Sequence, residues 1–307
     1  MREFTPREIL GVSAALSIGL IAVSAIVTQA RKRTVIPGRV RRLAEALFKN
    51  AGGHAGSASM HMPHVPPPKL REVGAVNMEG ERQFATKRLY MQLRVLDIKS
   101  SESVDQFIQD LKSLLSSIPC VLYRDSSSAG SIGLLVWADD PSLFTDALFD
   151  ALTDTRIAGR FTERTGWTMF GKTYSNGHEK DLQEYLFKKP IRNVCKDEWE
   201  WALWYPLRRR GPFYVQPAAD QCRMLLHHAA IGKAFSDVGA AHDVRLKSFG
   251  IDGKDNEYVV GIIGDNLHCL SRVVEEMRKT RHTAEFLESL GPFFVGKKIW
   301  TNNVSNH

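Results

Sequence analysis

The sequence predicts an α+β fold made of two ferredoxin-like halves, carried behind an N-terminal transmembrane helix. Three observations predict it. Residues 9–30 run for 22 positions without a charge. From residue 84 onward, strand-like and helix-like stretches follow one another in the order strand–helix–strand–strand–helix–strand, and the order then repeats. One strand-to-helix junction also echoes another: Gly133–Asp140 and Val259–Asn266 each end an apolar strand in Asp, with Asp139 and Asp265 126 positions apart. The expected organisation is an anchor with a basic flank over 1–33 and a basic, then Gly/Pro-rich, tether over 34–83. An N-terminal half over 84–190 and a C-terminal half over 191–307 follow.

Ile9 to Ala30 are rich in Ile, Leu, Val and Ala, and at 1.5 Å per residue they cover the apolar thickness of a bilayer. Lys and Arg follow immediately while the preceding flank is neutral, so the body is expected on the cytoplasmic or organelle-interior side of a single-pass protein. A cleaved secretory signal would have a positive first region and a shorter apolar stretch, and an organelle-targeting segment is the other alternative. Between residues 50 and 80, Gly52, Gly53 and Gly56 loosen the chain and Pro66, Pro67 and Pro68 stiffen it. Met60, His61, Met62 and His64 in that tether are soft ligands with nothing to organise them, so no metal is assigned there.

In the first half Leu89, Met91, Leu93 and Val95 alternate with polar residues as a half-buried strand. Val104, Phe107, Ile108, Leu111 and Leu115 lie on one helical stripe. Strands are expected at 119–124 and 131–138, a helix through Leu143 to Leu152, and a strand near 166–174. The second half repeats this with a strand at 199–207, a long helix from Pro217 to Phe235, strands at 243–249 and 256–264, and a helix at 266–280. Two such sheets packed face to face would close a barrel-like core. Asp139-Asp140, Asp252 to Asp255 and Asp265-Asn266 are read as caps and turns rather than metal sites.

Composition excludes several classes. An apolar fraction of 43% and a charged fraction of 24% are those of a folded domain, neither disordered nor polytopic. The net charge of +7 is local, because residues 31–50 hold seven basic side chains against Glu45 alone. A body near neutrality exerts no general pull on nucleic acid. Four cysteines with no C-x-x-C pair exclude a zinc ribbon or a disulfide scaffold. Dinucleotide-binding, Walker, H-E-x-x-H and G-x-S-x-G sequences are all absent.

The chemistry-bearing element is the helix Met224 to Phe235. His228 shares a face with Met224, Ile231, Gly232 and Phe235 by helical spacing. A neutral imidazole with glycine one turn later suits a flat macrocycle, although a histidine on an apolar stripe is also an ordinary core residue.

Trp204-Tyr205-Pro206-Leu207-Arg208-Arg209-Arg210, Met224…His228…Ile231-Gly232 and Leu290-Gly291-Pro292-Phe293-Phe294-Val295-Gly296, in this order, resemble the chlorite dismutase / coproheme decarboxylase family over residues 84–300. The resemblance implies a dimeric α/β-barrel fold, haem b or coproheme in the C-terminal half, and a homo-oligomeric ring, usually a pentamer. It places His228 at the proximal iron ligand; His227 lies about 100° around the helix and has no glycine at i+4. It places Tyr205 at the redox-active tyrosine of coproheme decarboxylases. Arg209 stands where those enzymes usually have lysine, and guanidinium cannot exchange a proton as ammonium does. Arg245 is the nearest candidate for the oxyanion-holding arginine of chlorite dismutases, with a solvated or propionate-bound role as the alternative. Lys172 and Tyr174 are implied propionate contacts. The implied activity is peroxide-dependent decarboxylation of coproheme to haem b. The alternatives are chlorite decomposition to chloride and dioxygen, or a haem-binding or structural paralogue without turnover.

Overall fold

In the computed structural model, the described residues are 65–304. The proposed anchor, its basic flank and the Met60–His64 segment lie outside them. Among the described residues no helix is long and apolar enough to cross a membrane.

The first half consists of β3 (Tyr90–Ile98), α1 (Val104–Leu114), β4 (Cys120–Asp125), β5 (Ser131–Ala138), α2 (Ala147–Thr153) and β7 (Met169–Lys172). The second consists of β8 (Trp201–Arg209), α4 (Ala218–Asp237), β9 (His242–Lys247), β10 (Tyr258–Gly264), α5 (Leu267–Arg278) and β12 (Phe294–Asn302). Numbered within its own half, each set of four strands lies in the order 4-1-3-2, the split βαβ arrangement expected from the sequence. The sheet is antiparallel throughout.

The sheet differs from the expectation in one respect. Two sheets do not stack; one sheet closes on itself. β9 pairs β7 at one seam, β12 pairs β4 at the other, and β10 pairs β8, so eight strands form a ring. Each half therefore covers the exposed edges of the other, which an isolated four-stranded sheet would leave unpaired. β6 (Phe161–Glu163) and β11 (Leu287–Leu290) lie outside the ring on β3 and β8.

Alternation sorts the side chains into three cores. Met91, Leu93, Val95, Tyr123, Trp204, Val244, Leu246 and Phe294 fill the barrel interior. Trp204 is 0% exposed and fits only because Gly261 faces it across the β8–β10 pair. A Cβ on Gly261 would lie 2.6 Å from the indole ring. Leu122, Leu134 and Val136 point outward against α1 and α2. Leu203, Tyr205, Val260 and Ile262 point outward on the other side, toward α4 and α5.

The helix starts are fixed locally. Ser103 caps α1, and Asn266 caps α5 by accepting from the His268 N–H. In the first half Asp140 accepts from Ser142 N–H at the head of a short 3₁₀ turn, Pro141–Phe144. The echo seen at Asp139 and Asp265 therefore works one residue on, at Asp140 and Asn266. Asp252 folds back onto the Lys254 N–H at 2.9 Å, as a turn residue does.

Three features were not expected. The compact unit begins at Pro68, because the end of the predicted tether forms the hairpin β1 (Glu72–Val76) and β2 (Arg82–Ala85). Glu72 ties it down by accepting from Ser175 N–H at 2.9 Å and pairing with Arg88 at 2.8 Å. The expected boundary at residue 190 falls inside α3 (Lys189–Cys195), which continues a π-helical turn from Glu184 to Lys188. The chain also inserts α6 (Arg281–Phe286) and β11 before the last strand.

Candidate functional site

The outward face of the second half and the helices over it enclose a cavity of about 260 Å³. Val260 sets its geometry. It pairs with Tyr205 on one side and with Arg245 on the other, so Tyr205, Val260 and Arg245 form one cross-strand row. Ile262 does the same for Leu203 and Asp243. Tyr205 of β8 and the i, i+2 pair Asp243 and Arg245 of β9, distant from it in sequence, thus share one wall of the cavity.

α4 forms the opposite wall. Only Met224 of its 20 residues is buried, so the helix stands off the sheet along the face that carries His228, Gly232 and Phe235. His228 lines the cavity, whereas His227 is exposed and does not. Gly232 lines it one turn later; a Cβ there would meet only the Met277 Cε, at 3.4 Å.

The hydrogen-bond network sets the state of His228. Thr280 Oγ1 donates to the Met277 carbonyl at 2.8 Å, so toward the imidazole it accepts from Nδ1–H over 3.4 Å. That leaves the lone pair on Nε2, which makes no hydrogen bond among the described residues. Burial, and then the charges of Arg209 and Arg245, hold the His228 pKa down to about 4. The ring is therefore neutral, the form that ligates a metal.

His282 is a second imidazole in this cavity, with its ring 5.2 Å from that of His228. It is 3% exposed, and its Nε2 accepts from Arg209 Nε at 2.9 Å. Burial, followed by the Arg209 charge, pushes its pKa down to about 3. With Nε2 accepting, the proton sits on Nδ1, which is buried without a partner.

Tyr205 is 6% exposed and stacks on Phe293 at 4.5 Å. Burial, and after it the nearby Asp243, raise its pKa, so the phenol is neutral. Arg245 is less free than a lone guanidinium. Its Nε lies 2.8 Å from Asp243 Oδ2 and its Nη2 donates to Tyr185 Oη. Lys189 Nζ holds the other Asp243 oxygen at 3.1 Å. Burial alone would raise the Asp243 carboxyl, but Arg245 and Lys189 outweigh it and keep it low. Arg278 stands at the same cavity with no ion pair among the described residues.

Of the seven residues singled out from the sequence, Tyr205, His228, Gly232 and Arg245 line this cavity. Three do not. Arg209 lies behind it, between the rings of Phe213 and Tyr258 at 4.6 and 4.5 Å, and reaches the cavity only through His282. Lys172 sits at the β7–β9 seam opposite Lys247. Tyr174 packs on Tyr258 at 5.9 Å, beside a separate small space. The period of a strand places these residues on a face but does not say how far along the barrel the cavity extends.

Sequence reasoning missed Asp243, Thr280, His282 and Lys189. His282 lies in a six-residue helix too short to show a period, and Lys189 comes from the connection between the halves. Thr280 did leave a signal, since it caps α6 by accepting from the Thr283 N–H.

The family model for chlorite dismutase matches residues 105–299. The chain belongs to the chlorite dismutase family. A heme-binding protein from Thermus thermophilus has a similar structure, with a TM-score of 0.57 at 17% identity, over 69% of this chain and 92% of that one. An arginine-to-lysine variant of chlorite dismutase from Candidatus Nitrospira defluvii has a TM-score of 0.55 at 12% identity, over 70% and 92%. A tryptophan-to-phenylalanine variant of the same enzyme, in complex with cyanide, has a TM-score of 0.54 at 12% identity, over 70% and 92%. At such identities the likeness is one of fold. None of the curated proteins matches this sequence.

The residues present fit an iron porphyrin. A neutral imidazole carries a free Nε2 lone pair, a glycine one turn on leaves a cradle that a Cβ would fill, and Val260, Ile262, Leu287 and Leu290 give apolar walls. Arg278, without an ion pair among the described residues, brings positive charge for a carboxylate at the edge, while Arg245 and Lys233 stand there already paired with Asp243 and Asp237.

Proposed function

We propose that this family member is a haem-dependent oxidoreductase in which His228 Nε2 ligates the iron, and that it decarboxylates coproheme to haem b with peroxide. The observation that carries the reading is Tyr205, a buried neutral phenol facing the His228 helix across the cavity. Bound iron porphyrin supplies the centre at which peroxide is reduced. Two of the four propionates then each lose the carboxylate as carbon dioxide and one hydrogen from the ring-side carbon, leaving a vinyl group. Each such two-electron oxidation is balanced by one peroxide becoming two waters.

The chain's own contribution begins with Thr280, which keeps the His228 proton on Nδ1 and so leaves Nε2 available. Phe293 holds the Tyr205 ring, and no described residue hydrogen-bonds its hydroxyl, so its hydrogen is free to be given up and regained. Arg209 keeps His282 neutral and oriented. The test is to incubate purified protein with iron coproporphyrin III and peroxide and follow porphyrin mass. Stepwise loss of carbon dioxide is expected, and Tyr205→Phe should abolish it while the Soret band persists. An unchanged porphyrin mass in the parent protein refutes the activity.

A second reading is chlorite decomposition, favoured by Arg245 at the cavity wall. Arg245 is already engaged by Asp243 and Tyr185, which weakens its hold on an oxyanion. Oxygen release on adding chlorite would support this reading, and a flat electrode trace would end it. A paralogue without turnover would bind haem and do neither. From the uncharged stretch 9–30 we also propose single-pass membrane attachment, and from the family resemblance a homo-oligomeric ring. Membrane flotation and light scattering test these two.

A further inference from the structure

Residues 175–181, in the connection between the two halves, form neither helix nor strand. Backbone groups in such a stretch need partners. Apart from the helical turn that follows, every hydrogen bond from this stretch to the rest of the described chain runs to the hairpin β1–β2. Ser175 N–H and Oγ donate to the Glu72 carboxylate at 2.9 and 3.0 Å, and Val73 N–H donates back to Ser175 Oγ at 3.1 Å. Ala75 N–H donates to the Glu179 carbonyl at 2.8 Å. Gln83 Nε2 donates to the Glu179 and Lys180 carbonyls at 3.3 and 2.8 Å. Gly74 brings the two backbones flush, since a Cβ there would lie 3.1 Å from the Glu179 carbonyl oxygen and 3.3 Å from Leu182 Cβ. The dependence is mutual. Outside itself, the hairpin hydrogen-bonds only to residues 175–182 and to Arg88 among the described residues.

The hairpin also starts the helical run that follows. Gln83 Oε1 accepts from Leu182 N–H at 2.9 Å, and Asp181 Oδ1 accepts from Glu184 N–H at 2.8 Å. These are first-turn donors with no partner inside the run. The run continues through the π-helical turn Glu184–Lys188 into α3 and carries two side chains that reach the cavity wall. Tyr185 Oη accepts from Arg245 Nη2, and Lys189 Nζ holds Asp243 at 3.1 Å.

We propose that the hairpin and residues 175–182 form one clasp that opens as a unit, and that through Tyr185 and Lys189 it positions Arg245 and Asp243 at the cavity wall. Glu72 and Gln83 are positioning residues, because neither lines the cavity. With the clasp open, Arg245 loses Tyr185 as an acceptor and can turn that N–H to a group in the cavity. The freedom of Arg245 is thus set from outside the site. Local units of this kind open at a fraction of the free energy of global unfolding.

The test is native-state hydrogen exchange on the full chain with no porphyrin added, so its outcome is independent of the haem reading. In the parent, amides of residues 72–85 and 175–182 should open together, with one shared dependence on urea. Gln83→Ala should speed exchange at 175–182 and at 185–189 by about 10- to 100-fold and leave α1 and β5 unchanged. Glu72→Gln should speed the same amides by a smaller factor. Competitive acetylation should show Lys189 gaining reactivity in both variants relative to the exposed Lys69. Separate opening of the two segments in the parent overturns the proposal. So does faster exchange at 175–182 with residues 185–189 and Lys189 acetylation unmoved, which would mean a held connection that positions nothing. Equal acceleration throughout the barrel would mean general destabilisation and overturns it as well.

Discussion

Replacing Gly232 by alanine should move stability and haem affinity in opposite directions. The glycine sits inside α4, where alanine is favoured by about 0.5–1 kcal/mol because it loses less backbone entropy on folding. Nothing in the haem-free chain opposes the methyl: its first neighbour is the flexible end of Met277 at 3.4 Å, an ordinary van der Waals distance. For a chain of this size the gain corresponds to about 1–4 °C in Tm. The same methyl points into the cavity, where a flat ring ligated by His228 one turn earlier would lie against the helix. Overfilling a packed contact by one methyl costs about 1–3 kcal/mol. That cost is about a 5- to 150-fold loss of haem affinity. Calorimetry of the haem-free protein and a Soret titration measure the two effects separately. A lower Tm would mean that α4 is packed more tightly than the cavity implies. Unchanged haem affinity would remove the porphyrin from this face of the helix.

Three further outcomes are expected. Gly261→Ala should cost at least about 1–3 kcal/mol in urea unfolding, since its Cβ would come within 2.6–2.8 Å of three ring carbons of the fully buried Trp204; a stability equal to the parent refutes the barrel packing. Thr280→Val removes the acceptor for His228 Nδ1–H and the cap of α6, so the iron–histidine stretch in resonance Raman spectra should shift, Thr280→Ser should restore it, and about 1 kcal/mol of stability should be lost; an unmoved band sinks the tautomer argument. Burial pushes the Cys120 thiol up to about 12 and the Cys195 thiol up to about 11, whereas Cys222 is exposed. A thiol reagent at pH 8 should therefore label Cys222 first and Cys120 only on unfolding, and rapid native-state labelling of Cys120 would contradict its placement beneath the helices.

Sequence alone determined the local order of this protein. The stripe through Phe107 and Leu111 specifies a helix because it buries one face. The period-2 run Leu89–Val95 marks the barrel-facing side of its strand, although the strand expected to be half-buried also covers Gln92, Leu96 and Ile98 on its other side. The duplication, the caps near Asp140 and Asn266, and the placing of His228 and Gly232 on one helical face are local in the same sense. Only the tertiary structure decided which edges meet. Closure through β7–β9 and β4–β12 joins residues more than 70 positions apart, and no window of sequence records that pairing. The cross-strand rows that bring Tyr205, Arg245 and Asp243 to one wall depend likewise on register, that of β10 against β8 and β9 within the second half. The contacts of Thr280 with His228 and of Arg209 with His282 arise only after α6 has been folded under α4, so they hold Arg209 behind the cavity rather than in it. Such contacts come from the packing of separate elements, and a one-dimensional pattern carries no information on distance between elements.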